Sequence, residues 1–338
     1  MNAAVNPATN GTAMPMNGVT QPRQCVRTVI GERVQKLLSH EEGTRKDTDV
    51  EALHDMRVAS RRLREAFEIF DFCFPQKSYQ KLYRRIKLVT RALGEVRNAD
   101  VAIMYYKSLS ATTDDILVQV ALEDILRRLA RIRRQARLQL TKGLDESRVS
   151  QLPAELANVF VRVENLPVRY QRGPRQSIVL ARRQLSQRVR DFFSARAAVA
   201  GENDEVNLHK VRISIKKLRY AIETLYYTVG EAVTGNLKEL KLLQEALGEL
   251  HDRDVFAGIV RGRLVKLQSR PHATLLCNGL QAVLNMILNE RSVYFREYQT
   301  LAAKYSPHEW RTRFVPPANV LPRLSKAKQT TVEPKTIS

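Results

Sequence analysis

Two short clusters of basic residues hold most of the chemistry that this sequence offers. The first is His54, Arg57, Arg61, Arg62 and Arg64, in the string LHDMRVASRRLR; the second is His209, Arg212, Lys216, Lys217 and Arg219, in LHKVRISIKKLR. At about 100° per residue, Arg57, Arg61 and Arg64 share with His54 an arc of roughly 80°. His209, Arg212, Lys216 and Arg219 repeat that face. Leu53, Met56, Leu63, Phe67 and Phe70 gather on another side, as do Leu208, Val211, Ile215, Leu218 and Ile222, so each segment reads as an amphipathic helix. The helix that follows places Lys77, Lys81, Arg84, Lys87 and Arg91 on one side, opposite Leu82, Ile86, Val89 and Leu93, and Lys238 and Lys241 match Arg84 and Lys87. Guanidinium groups bond phosphate oxygens in a planar fork and stay charged, while lysine adds a flexible point charge. The pattern is one for gripping a multiply charged anion.

A basic stripe on one amphipathic helix is by default a solvated face. Three features argue for a binding face instead. Like charges at i,i+3 and i,i+4 repel and weaken a helix. A face kept for solubility would interleave acids with the bases. The stripe also recurs at matching positions in both halves of the chain. Glu68 and Glu223 match as well, each four residues after an arginine (Arg64, Arg219), which suits a local ion pair that orients it.

The elements that must position these residues are helices. Strand signals are scarce, and helical periodicity predicts helices over 24–38, 50–72, 78–97, 100–109, 114–142, 176–193, 206–229, 236–250, 254–268 and 273–304. Two strings recur in order and spacing: LHDMRVASRRLR with LHKVRISIKKLR, and ALGEVRNADV from Ala92 with ALGELHDRDV from Ala246. A whole helical unit has been duplicated. The expected organisation is a polar leader (1–22), a first helical bundle (23–145), a linker able to hold one short helix (146–175), a second bundle (176–313) and a disordered tail (314–338). In the second string Gly94 and Gly248 would permit close helix approach or a bend, and Asp100 and Asp254 would cap a helix or hold a basic side chain. The arginine-rich stretch 127–137, with Arg127, Arg131 and Arg134 on one side, has no clear counterpart in the second half; extra basic rim and solvated surface are both open.

Charge supports the same reading. Lys and Arg number 56 against 35 Asp and Glu, for a net charge of +21. The first 22 residues are uncharged and the tail beyond 315 carries +3, which leaves +18 on residues 23–315. A folded surface so charged repels itself, and a polyanionic partner explains why it is kept. Cys25, Cys73 and Cys277 are odd in number and far apart, which fits neither a disulfide framework nor a zinc site and favours a reducing compartment. No apolar run reaches spanning length and the leader lacks an apolar signal segment, so a cytoplasmic location without a membrane is expected.

Catalysis is the weaker alternative. His54-Asp55 and His251-Asp252 are His-Asp dipeptides, as in metal-dependent phosphohydrolases of the HD type. The repeat opposes that reading, because Asp55 becomes Lys210 in the second copy and His251 stands where the first has Arg97. Neighbouring cations would also oppose a divalent metal. No base, nucleophile and orienting group converge, and no glycine-rich phosphate loop occurs. The expectation is no catalysis, no metal and no cofactor.

With both strings present twice, the chain resembles the CHAD family, the conserved histidine α-helical domain, over most of residues 23–310. The resemblance implies an all-α fold of two pseudo-symmetric four-helix bundles with a basic groove or pore that binds inorganic polyphosphate. Carried across by position, it implicates His54, Arg57, Arg61, Arg62 and Arg64, then His209, Arg212, Lys216, Lys217 and Arg219. Some members sit at polyphosphate granules, often fused to a triphosphate-tunnel domain; no segment here reads as that domain. The family pattern LGxxRDxDV is altered at Asn98 and His251. Nucleic acid is the secondary candidate. Sequence-tolerant strand binding uses aromatic platforms among the basic residues, and Tyr83 and Phe67 lie on or near the apolar sides. Polyphosphate, which has charge and length but no bases, fits better.

Overall fold

Apolar residues at helical spacing build this chain, and their burial fixes where the basic faces point. The computed structural model describes residues 22–47, 50–71, 74–164, 174–229, 237–268, 271–304 and 306–315. Residues 1–21 of the expected leader, 165–173 of the expected linker and 316–338 of the expected tail lie outside the described residues, as does Cys73. The helices are α1 (Pro22–Leu38), α2 (Glu41–Lys46), α3 (Val50–Ile69), α4 (Gln76–Ser110), α5 (Ile116–Ser147), α6 (Leu152–Glu164), α7 (Pro174–Ala197), α8 (Glu205–Val229), α9 (Leu237–Leu267), α10 (Thr274–Ala303) and α11 (Pro307–Phe314). No strand occurs among the described residues, so the protein is all-α.

The periodic stripes are the core. Leu53, Met56, Leu63 and Phe67 of α3 and Phe70 just beyond its end are buried, and so are Leu208, Val211, Ile215, Leu218 and Ile222 of α8. In chain order α1, α3, α4 and α5 have their counterparts in α7, α8, α9 and α10. The apolar core does not divide along that boundary. One cluster joins α3 and α8 through residues such as Leu63, Phe67, Leu218 and Ile222. The other joins the far ends of the α4–α5 and α9–α10 hairpins through Tyr106, Leu122, Phe256 and Leu280. At that end Gly279 admits the α5 backbone so closely that a Cβ would lie 2.1 Å from the Leu117 carbonyl oxygen.

Three expectations about helices need correction. The helices expected at 78–97 and 100–109 are one, α4, and those expected at 236–250 and 254–268 are one, α9. A break before Asp100 or Asp254 assumed that the carboxylate caps a new helix. Both carboxylates point sideways into ion pairs instead, and burial continues through Val96, Ala99, Ala102 and Tyr106. Two short helices, α2 and α11, were not anticipated. Ser306 and Glu309 form a capping box at the start of α11, which lays Trp310 against Phe192 at 4.6 Å between ring centres. The expected linker holds one helix, α6, whose Glu155 binds Arg85 at 2.6 Å.

Candidate anion-binding site

Burying the apolar stripes of α3 and α8 against each other leaves their cationic stripes side by side. Arg57 and Arg61 from α3 meet Arg212 and Lys216 from α8, close enough that Arg61 and Arg212 act on Arg57, Arg61 acts on Arg212, and all three arginines act on Lys216. Burial, with Arg61 and Arg212 adding repulsion, pushes the Arg57 guanidinium down to about 10. Lys216 is only 8% exposed. Burial first, then Arg212, Arg61 and Arg57, pushes its amine down to about 5, against the weak opposing pull of Asp252. Holding these groups together without an anion is costly in a poorly hydrated seam.

From this seam a groove of about 580 Å³ runs between α3 and α4. Arg57, Arg61, Arg64, Arg84, Lys87 and Arg91 line it, with Glu95 the only carboxylate among the described residues that line it. Gly94 lies in its floor. A Cβ there would meet Arg57 at ordinary contact distance, 3.7 Å from Nε, which places the guanidinium against α4. Gly248, at the matching place in α9, has open space instead.

The hydrogen-bond accounting is the most informative feature. Among the described residues the buried Nε atoms of Arg57, Arg64, Arg182, Arg212 and Arg219 make no hydrogen bond, and a carboxylate oxygen of Glu68 stands 3.8 Å from that of Arg64. Arg57 matches Arg212 in the repeat, and Arg64 matches Arg219. Buried donors are ordinarily satisfied, so a set left unsatisfied at two pairs of equivalent positions calls for an acceptor from outside.

Other residues expected at the site occupy different situations. His54 is half-buried, and burial, then Arg97, holds it below its usual range. His209 approaches His251, Nδ1 to Nδ1, at 3.2 Å, and burial with Arg212 drives His251 down to about 3. Arg62 and Lys217 face Glu223 and Glu68 across the seam. Lys77 and Lys81 stand outside the groove, with Lys81 3.3 Å from Glu155. Lys238 and Lys241 are exposed on α9, and Lys241 lies 3.6 Å from Glu245.

Two features were missed in the sequence. Tyr220 sits under Arg219 at 4.9 Å and near Arg61 at 5.8 Å, measured from guanidinium carbon to ring centre. Its wheel position is about 20° from His209, so the cationic face does contain an aromatic residue. Because Tyr220 is buried beneath those guanidinium groups, it offers no open platform for a base. The second feature is a duplicated ion network. Arg133 binds Asp100 at 2.6 Å and Asp47 at 2.8 Å, and Arg291 binds Asp254 at 2.5 Å with Glu202 at 3.7 Å. The arginine-rich stretch therefore has a counterpart after all, in Arg291. Arg127, Arg131 and Arg134 remain exposed. Among the described residues no group of three or more His, Cys, Asp or Glu is placed to hold a metal ion, and no helix is long and apolar enough to cross a membrane.

The family model of the CHAD domain matches residues 28–261, and the chain belongs to the CHAD family. Two uncharacterised proteins from strains of Mycobacterium tuberculosis are 26% identical to it over 263 residues, which is 74% of this chain and 47% of theirs. The chain thus spans about half the length of the curated relatives it matches. Among solved structures, the CHAD domain from the plant Ricinus communis superposes with a TM-score of 0.65 at 21% identity, covering 87% of this chain and 96% of that one. PptA from Streptomyces chartreusis does so with a TM-score of 0.54 at 15% identity, covering 84% and 100%. At these identities the likeness is one of fold.

Proposed function

We propose that the protein binds inorganic polyphosphate without turning it over, in the cytoplasm and at polyphosphate granules. The observation that carries this reading is the set of Nε–H donors on Arg57, Arg64, Arg212 and Arg219 that make no hydrogen bond among the described residues, set beside a groove with six cations. A chain of phosphates supplies acceptor oxygens at short, regular intervals and relieves the repulsion among Arg57, Arg61, Arg212 and Lys216. Membership of the CHAD family supports the ligand class. The burial of Tyr220 favours an anion without bases over a nucleic acid, whose single strands bind by stacking on open aromatic faces. A competition titration of polyphosphate against DNA and RNA, at matched phosphate concentration and salt, tests the reading. Polyphosphate should displace both nucleic acids; displacement of polyphosphate by either would reject it. Release of orthophosphate above a blank, with Mg²⁺, Mn²⁺ or Zn²⁺ present, would reject the non-catalytic part.

A further inference from the structure

The two copies of the basic face differ at matched positions, and most differences lower the charge of the second copy, against the reverse changes of Asp55 to Lys210 and Glu65 to Tyr220. Counting across the repeat, Arg61 becomes Lys216 and Arg97 becomes His251. Two permanent cations are replaced by two groups that titrate. Arg91 becomes Glu245 and Asn98 becomes Asp252, which adds two carboxylates. The groove of the first copy holds six cations against Glu95. Its matched positions in the second copy hold five cations (Arg212, Lys216, Arg219, Lys238, Lys241) against Glu245, Glu249 and Asp252.

The geometry of the second copy deepens this difference. Lys216 is enclosed by Arg57 and Arg61 of α3 and Arg212 of its own helix, with Asp252 of α9 opposing them weakly. Asp252 also lies 3.9 Å from Arg212 and is partly spent there. His209 and His251 approach Nδ1 to Nδ1 at 3.2 Å. A hydrogen bond between two ring nitrogens needs one of them without a proton, so this pair cannot carry two charges as it stands. Burial and the surrounding cations push Lys216 down to about 5 and His251 to about 3. At neutral pH the second copy therefore carries less positive charge than its residue count implies.

We infer that, within the polyanion site proposed above, on which this inference rests, the first repeat is a permanently charged anchor and the second a proton-gated extension that engages long chains by taking up protons at Lys216 and the His209–His251 pair. The step breaks no bond in the ligand. Phosphate oxygens arriving in the seam offset the repulsion from Arg57, Arg61 and Arg212, and solvent protons then bind the Nζ and imidazole lone pairs. A short phosphate chain seated toward Arg84, Lys87 and Arg91 leaves Arg212 without a counter-charge and so brings less of this relief to α8.

Calorimetric titration of the full chain with tripolyphosphate and with long-chain polyphosphate, at neutral pH in two buffers of unlike ionisation enthalpy, tests this. Tripolyphosphate should give heats that differ less between the buffers, with the difference reporting proton release from its own terminal phosphate rather than uptake. Long-chain polyphosphate should give unlike heats that report net proton uptake, and Lys216→Met should remove most of it. Arg84→Gln with Lys87→Gln should weaken tripolyphosphate by about tenfold or more, and the equivalent Lys238→Gln with Lys241→Gln by about threefold or less. Equal losses from the two double variants, or buffer-independent heats for the long chain, would overturn the inference. Should Lys216→Met fail to fold, the buffer comparison on the unaltered protein decides alone. Failure of both anions to bind the unaltered protein rejects the polyanion reading itself, and this inference with it, before any variant is made.

Discussion

Arg62 of α3 lies 3.4 Å from Glu223 of α8, and Lys217 of α8 lies 4.0 Å from Glu68 of α3. The second contact is the first with the repeats exchanged, since Lys217 matches Arg62 and Glu223 matches Glu68. Each glutamate also faces the arginine one turn earlier, Arg64 at 3.8 Å and Arg219 at 3.6 Å. Arg62 is half-exposed, so its pair is screened and holds the seam less than the apolar stripes beneath it. Arg62→Ala and Lys217→Ala should each lower stability to denaturant by under about 1 kcal/mol. A larger loss would mean that charge, not apolar packing, closes the seam.

Much of this was legible in the sequence because it rests on periodicity. Leu53, Met56, Leu63 and Phe67 announce a buried stripe, and the spacing of Arg57, Arg61 and Arg64 places them on one open face. What stayed hidden depends on partners distant in sequence. Nothing near Asp100 shows that Arg133, a helix away, will take its carboxylate, so a cap and a helix break looked reasonable. The pairing of Arg133 with Arg291 is also obscured, because the strings around them do not align. The packing of α3 on α8, which sets Lys216 between arginines of both repeats, comes from tertiary burial and has no local signal. Tyr220 was legible and overlooked: its wheel position puts it among the cations.

Removing one partner from a buried ion pair leaves an uncompensated charge, and the two duplicated pairs differ in burial. Arg291 and Asp254 are both almost fully buried, whereas Arg133 is partly exposed and keeps Asp47 close by. Asp254→Ala should therefore destabilise the fold by about 3–5 kcal/mol, and Asp100→Ala by clearly less. Equal losses in urea unfolding would show that Glu202 compensates Arg291 as well as Asp47 compensates Arg133.

Lys216 makes stability depend on pH in a defined direction. Its folded-state pKa of about 5 lies below the ordinary 10.5, so the unfolded chain binds more protons between these values. Stability of the anion-free protein should therefore rise as pH rises through that window, by at most about 1.4 kcal/mol per pH unit from this group. His251, held at about 3, acts in the same direction at lower pH. In denaturant melts from mildly acidic to mildly alkaline pH, Lys216→Met should flatten the slope and raise stability at neutral pH. An unchanged slope would show that the amine stays charged in the fold.

Binding through this many cations must be sensitive to salt. If roughly 6–10 phosphates are neutralised, as the groove and seam together allow, affinity should fall on the order of 10³–10⁵-fold between about 50 and 200 mM salt, taking duplex DNA as the guide. Polyphosphate spaces its charges differently, so the steep negative slope is the firm expectation. An affinity that is flat over this range, measured by fluorescence anisotropy, would remove ion pairing as the basis of binding.

Tyr220 offers the sharpest test of how the arginines are held. Its ring lies under the Arg219 guanidinium at 4.9 Å and, farther off, under that of Arg61 from the other repeat at 5.8 Å, so one side chain fixes donors from both halves. In the first repeat the same position is Glu65, which is buried and bound to Arg188 at 2.9 Å. The ring therefore has no equivalent elsewhere in the site. A partly desolvated cation–π contact contributes about 0.5–2 kcal/mol, and two of them would fix Arg219 and Arg61 before the ligand arrives. Tyr220→Leu keeps an apolar side chain in the buried position and removes the π face, so polyphosphate affinity should fall by about 3- to 30-fold. Tyr220→Phe keeps the face and should bind nearly as the unaltered protein does. Unfolding curves for both variants separate this effect from a general loss of packing. If Leu and Phe weaken binding equally, the hydroxyl rather than the ring does the positioning; if neither weakens it, the two arginines are held by the helices alone.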